Sequence, residues 1–385
     1  MTYNFDTPID RRATESTKWR AFPPDVLPMF VADMDFRSPE PVVRALVERA
    51  AHGVFGYPIE PPELRPAILE RLERLYGWKV APEAVVFLPG VINGFNLTCH
   101  AVASPGEAIL IQTPVYQPFF GVAKNAGLLR QENELLLADD GSYNIDLDAF
   151  EAAISTATRM LLLCNPHNPV GRVYRREELA RMAEICLRHN LVICSDEIHG
   201  DLVYRGHRHL PVAALDEEIA QHTITLMAPS KTYNIAGLDC SFAVIPNPEL
   251  RMKVEKARQG MVGGVNLFGL IAAKAAYLEG QPWLDDLLVY LEGNRDLVYE
   301  FTRDHLPGVR MAKPEGTYLA WLDCRQVNTP SQPCEYFLKV GRVALSDGAG
   351  FGRRAERFVR LNFGCPRAML LDGLERMRCA LEALR

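Results

Sequence analysis

The stretch "APSKTYNIAGL" places Lys231 directly after an apolar run, between Ser230 and Thr232. A lysine so close to a core is costly unless it is paired or chemically employed. Its amine is also the side-chain group that condenses with an aldehyde. Three other apolar runs end in unusual polar residues. "LVIC" runs into "SDEIHGD", which carries Asp196, Glu197 and His199. "RMLLLC" runs into "NPHNPVGR", whose two Asn-Pro turns begin at Asn165 and Asn168. "AVVFLPG" ends in Gly90-Val91-Ile92, and a helical pattern follows from Asn93. A glycine turn at a helix N-terminus offers free N–H groups and a positive dipole end, which suits a phosphate. Each motif alone also has a structural reading, as a self-satisfied turn, an N-cap or a surface loop.

Taken together they form a set: an anion cradle, an amide, a carboxylate and a lysine. Pyridoxal phosphate needs those four groups. Its phosphate takes N–H donors, its phenolic oxygen a donor, its pyridine nitrogen a carboxylate and its aldehyde a lysine. Other chemistries fit less well. "GAGFGR" puts Arg353 where the last glycine of a dinucleotide fingerprint belongs, and there is no G-x-x-x-x-G-K-[ST]. His199, His207 and His209 lie close together but lack an H-E-x-x-H pattern, so no metal is expected.

The elements that must position these residues are legible from periodicity. "AVVFLPG", "EAILIQTP", "RMLLLCNP", "LVICSDEI", "TITLMAPS" and "SFAVIPN" are near-continuously apolar, as strands covered on both faces are. Helical patterns fall between several of them. "REELARMAEICLRHN" puts Leu179, Met182, Ala183 and Cys186 on one stripe. The alternation predicts an α/β domain with a mostly parallel sheet, whose ligand binds outside the carboxyl ends of the strands. After Pro282 the texture changes to a long amphipathic helix, "GTYLAWLDCR", a helix from Pro333 to about Val343, "RFVRLNFGC" and a final helix. This predicts a second, smaller α+β domain. The expected division is a large domain over 46–280 and a small one from 1–45 with 281–385, the N-terminal arm being irregular.

The 385 residues carry 42 basic and 48 acidic side chains, a net charge of −6, with no basic block, so nucleic acid is not an expected partner. Nine scattered cysteines without a C-x-x-C pair predict buried free thiols in a reducing cytoplasm. The polar start "MTYNFDTPIDRR" does not read as a signal peptide, and no apolar run is long enough to span a membrane.

"NPHNPVGR", "SDEIH" and "SKTYNIAGL", in that order and spacing, resemble the fold-type I pyridoxal-phosphate enzymes of the class I/II aminotransferase superfamily. "FVADMDF", "FGYP", "QTPVYQPFF", "EGTYLAWLDC" and "VRLNFGCPR" narrow the resemblance to the MalY/PatB group of cystathionine β-lyases, or cysteine-S-conjugate β-lyases. The likeness spans nearly the whole chain. It implies β-elimination from an amino-acid thioether, releasing a thiol, pyruvate and ammonia. It also implies roles by position. Lys231 would hold the cofactor and act as base. Asp196 would pair with the pyridine nitrogen, and Asn168 would bond the phenolic oxygen, with His199 beside it. Tyr116 would stack on the ring. Ser230 and the backbone of Gly90, Val91 and Ile92 would cradle the phosphate. Tyr57 would reach that phosphate from the neighbouring subunit of a homodimer, and Arg360 would fork onto the substrate carboxylate. One departure stands out: many aminotransferases place a phosphate-binding arginine near the position of Asp239. An aminotransferase on the same scaffold, or an effector-binding regulator with little catalysis, are the rival readings.

Overall fold

The computed structural model describes residues 3–384. Its centre is a seven-stranded sheet in the spatial order Val85–Leu88, Ser241–Val244, Thr223–Met227, Val192–Asp196, Thr158–Cys164, Ala108–Thr113, Leu129–Glu134. Ser241–Val244 runs antiparallel to both neighbours, and every other pair is parallel. Six of the strands coincide with the apolar runs. They are readable because each is covered on both faces. Along Ala108–Thr113, Ile109 and Ile111 join one core layer with Phe95 of helix Val91–Val102, while Leu110 joins the opposite layer with Leu179 and Met182 of helix Arg176–Arg188. Successive side chains of a strand point to opposite faces, so an all-apolar strand needs helices on both. The seventh strand, "LRQENE", has no such signature, because it lies at the sheet edge and is mostly not buried.

The C-terminal part builds a three-stranded antiparallel sheet from Leu319–Asp323, Phe358–Asn362 and Ser346–Asp347. It shares one core with helices Gln281–His305, Pro333–Lys339 and Arg367–Glu382. Three expectations are corrected. The helix from Pro333 stops at Lys339, and Arg342, in a left-handed conformation (φ 55°), turns the chain into strand Val343–Ala344. The helix after Gly90 begins at Val91, two residues earlier than the sequence pattern indicated. The N-terminal arm is not wholly irregular: it holds helix Thr17–Arg20, and helix Glu40–Ala51 begins within it. Among the described residues all nine cysteines are free, but Cys334 is half-buried and Cys379 exposed. No described helix is long and apolar enough to cross a membrane.

The N-terminal segment is fastened at both ends. Leu27–Pro28 pairs with Val343–Ala344. Further on, Lys18 and Asp35, each 1% exposed, form an ion pair at 2.6 Å. Arg11 bonds Asp33 and Asp35, and the Trp19 indole donates to Asp35 at 2.7 Å. A buried ion pair persists when neighbouring hydrogen bonds satisfy its remaining valences, as they do here. Asn234 then donates from its amide to the Met34 and Phe36 carbonyls and accepts from the Met34 N–H. The "FVADMDF" segment is thereby held against the loop that follows Lys231.

Candidate active site

The carboxyl ends of the central strands open onto a cavity of about 380 Å³. Lys231 enters it from the single turn Pro229–Thr232, which follows strand Thr223–Met227. Asp196 is the last residue of the adjacent parallel strand Val192–Asp196, and Cys164 ends the next strand and pairs with Asp196 in register. Asn168, His199, Tyr116, Ser230, Gly90, Val91 and Ile92 line the same cavity. Parallel strands in register explain the convergence, since their ends lie side by side although 32 residues separate Cys164 from Asp196.

Gly90 takes φ 102°, a conformation that favours glycine, and caps the N-terminus of helix Val91–Val102, whose first N–H groups no side chain caps. The Gly90 N–H itself bonds Ser241 Oγ at 3.1 Å. Ser230 Oγ donates to the Cys240 carbonyl, so Ser230 and the Gly90 turn are tied to the same short segment.

Burial dominates the electrostatics. It lifts the Asp196 carboxyl to about 7, against a bond from the Ile198 N–H that favours the ion. It lowers the Lys231 amine to about 8; Asp33 and Asp196 oppose that shift and Arg360 adds to it. Lys231 donates to the Ala32 carbonyl at 2.6 Å, and the Tyr318 hydroxyl donates to the same carbonyl at 2.9 Å. Burial, with the charges of Lys231 and Arg360, pushes His199 down to about 3, which keeps its ring neutral. That ring meets the Tyr318 ring edge-on at 5.9 Å.

Arg360 comes from the small sheet, in strand Phe358–Asn362. It donates to Asn168 Oδ1 at 3.0 Å, to the Phe30 carbonyl at 2.8 Å and to Ser346 Oγ at 3.2 Å. Burial lowers its guanidinium to about 10, still charged at neutral pH. Its Nε is buried without a partner, as is His199 Nδ1. Two orphaned buried donors or acceptors beside one cavity call for a polar ligand. With the open helix N-terminus, the neighbouring carboxylate and the lysine, they fit pyridoxal phosphate and an amino-acid carboxylate.

The structure separates one residue from the rest. Tyr57 is fully exposed and lines a different groove, with Glu60, Arg65 and Phe87. His207 faces Glu315, and the buried His209 is paired with Glu197 at 2.8 Å, so the three histidines do not converge. Sequence reasoning missed Ala32, Phe30, Tyr318 and Ser346. The first two act through backbone carbonyls, which leave no mark in a sequence. Ser346 sits in a two-residue strand without periodicity. Tyr318 lay in a motif noted for resemblance alone.

The chain matches the model of the family described as aminotransferase class I and II over residues 24–377. It is 41% identical to the cystathionine beta-lyase PatB of Bacillus subtilis, an alignment that takes in 98% of this chain and 100% of that one. Among solved structures, OvoB superposes with a TM-score of 0.94 at 45% identity, covering 98% of this chain and 99% of that one. Cystalysin from Treponema denticola superposes with a TM-score of 0.96 at 32% identity over the whole of both chains.

The protein is a class I and II aminotransferase-family member.

Within that family fold the two halves of the site come from different parts of the chain. The central sheet supplies Lys231, Asp196 and Asn168, and the small sheet supplies Arg360. The Arg360–Asn168 bond joins these two parts at the wall of the cavity.

Proposed function

We propose that the protein is a pyridoxal-phosphate-dependent carbon–sulfur β-lyase acting on L-cystathionine or a related cysteine S-conjugate. One observation carries the reading. A lysine with a lowered pKa and a buried carboxylate converge on one cavity at the strand ends, and a guanidinium with donors to spare is bonded to Asn168 in that cavity's wall. The likeness to a cystathionine beta-lyase over 98% of the chain supports elimination as the reaction.

When bound, pyridoxal phosphate supplies an aldehyde for the substrate amine and a ring that takes up the electron pair left at Cα. The protein supplies the rest. Asp196, as the anion, would pair with the pyridine nitrogen and keep it protonated. Arg360 has three of its five donors engaged by Asn168, Phe30 and Ser346, which fix its plane and leave others for the substrate carboxylate. With the carboxylate held, the Cα–H bond faces Lys231, which is proximity and orientation. Lys231, whose amine is lowered to about 8 and so reaches its neutral form far more readily than an ordinary lysine, would take the Cα proton. The Cβ–S bond breaks, the thiolate leaves with its electron pair, and hydrolysis of the remainder gives pyruvate and ammonia. Tyr116 walls the cavity, and Gly90, Val91, Ile92 and Ser230, which line it too, would hold the phosphate.

The same proposal includes a homodimer. Val54, Phe55, Tyr57 and Ile59 form an exposed apolar stretch, which a second copy would cover while bringing Tyr57 to the partner's phosphate. It also includes a cytoplasmic location, consistent with nine unpaired thiols, and the division into 46–280 and 1–45 with 281–385.

The test is to incubate the cofactor-loaded protein with L-cystathionine and follow pyruvate and free thiol together. Equal release of both is expected. Absence of pyruvate, with a slow loss of the lysine-bound cofactor's absorbance that a keto acid restores, identifies an aminotransferase instead.

A further inference from the structure

Asp239 follows the short 3-10 turn Ala236–Leu238 in a left-handed conformation, φ 46°. It lines the cavity, it is exposed, and its carboxylate has no bonding partner among the described residues. Its place within the cavity is fixed by its neighbours. The Cys240 carbonyl accepts from Ser230 Oγ, and Ser241 Oγ accepts from the Gly90 N–H. Asp239 therefore sits beside the helix N-terminus, at the end where the N–H groups of Val91 and Ile92 are open. Lys231 is the one cation among the described residues lining the cavity. That end holds an uncompensated anion where an anion is to bind.

We propose that Asp239 restrains the affinity for the cofactor's phosphate, so that pyridoxal 5′-phosphate is held exchangeably in this protein. The inference rests on the cofactor reading above. Like charges at close range oppose binding even when partly screened by water. The hold on the phosphate comes from hydrogen bonds and the helix dipole alone, each modest for an open site. The carboxylate subtracts from them.

The experiment is equilibrium binding of pyridoxal 5′-phosphate to cofactor-stripped protein, read by absorbance or fluorescence. Wild type is compared with Asp239→Asn and Asp239→Gly. Both replacements tolerate a positive φ, so neither strains the turn. Both are expected to tighten binding by about tenfold, the effect of removing one like charge at a partly solvated site. Unphosphorylated pyridoxal serves as the control, and its affinity is expected to be unchanged. A merely structural effect of the substitution would move both ligands together. Unchanged or weaker phosphate-dependent binding in both variants overturns the inference while leaving the cofactor assignment standing. Failure of the wild type to bind the cofactor at all overturns the assignment and the inference with it.

Discussion

Arg360 and Asn168 lie 192 positions apart in the chain and are joined by a 3.0 Å hydrogen bond from guanidinium to amide oxygen. The bond ties the small sheet to the turn that follows a strand of the large one. It orients the guanidinium and at the same time fixes the amide that faces the cavity.

Arg360→Lys keeps the charge but loses the planar fork. Asn168, Phe30 and Ser346 can no longer all be served by one side chain. The KM for the amino-acid substrate is expected to rise by about tenfold to a hundredfold, the loss of one charge-assisted pair, with a smaller fall in kcat. Steady-state kinetics checks this, and an unchanged KM would remove Arg360 from carboxylate binding.

Asp196→Asn separates the cost of the carboxylate from its use. In the folded chain its pKa is about 7, above its ordinary 3.8. Between those values the folded protein holds a proton that the unfolded chain has released, so stability falls as pH rises through that window. The cost is absent at lower pH and complete above about 7. Cofactor-free Asp196→Asn should therefore melt a few degrees (about 2–6 °C) higher than wild type at slightly alkaline pH, and with no such gain in acid. The same variant should bind pyridoxal phosphate more weakly, because the pyridinium loses its counter-ion. Calorimetry at two pH values and a cofactor titration read both effects.

Asn234→Ala removes three hydrogen bonds to Met34 and Phe36 and puts a Cβ residue without a polar side chain at φ 56°. A loss of about 2–4 kcal/mol is expected from bonds and backbone together. Turnover should fall as well, because the Ala32 carbonyl that receives Lys231 belongs to the same segment. Asn234→Gly relieves the backbone but not the bonds, so it should recover only the smaller part of the stability. Urea unfolding of the three proteins distinguishes the two contributions.

The sequence by itself determined the central sheet and the polar residues at its strand ends. Six strands were legible because burial on two faces leaves an unbroken apolar run, a local signal. Lys231, Asp196 and Asn168 were legible because a polar group that ends such a run is locally anomalous. The edge strand Leu129–Glu134 gave no signal, since a mostly unburied strand has no apolar run to show. What only the tertiary structure decided is how distant segments meet. No periodicity marks the Ala32 and Phe30 carbonyls, because every residue carries a carbonyl and its use depends on what folds against it. The ion pair of Lys18 and Asp35 reads in sequence as two ordinary surface charges, and its burial follows from the N-terminal segment docking on strand Val343–Ala344 and on Asn234. Arg360 opposite Asn168 depends on how the small sheet is seated beside the segments that follow the central strands, where Trp321 and Phe358 share an apolar cluster with Leu135 and Val170, and not on any residue within reach along the chain.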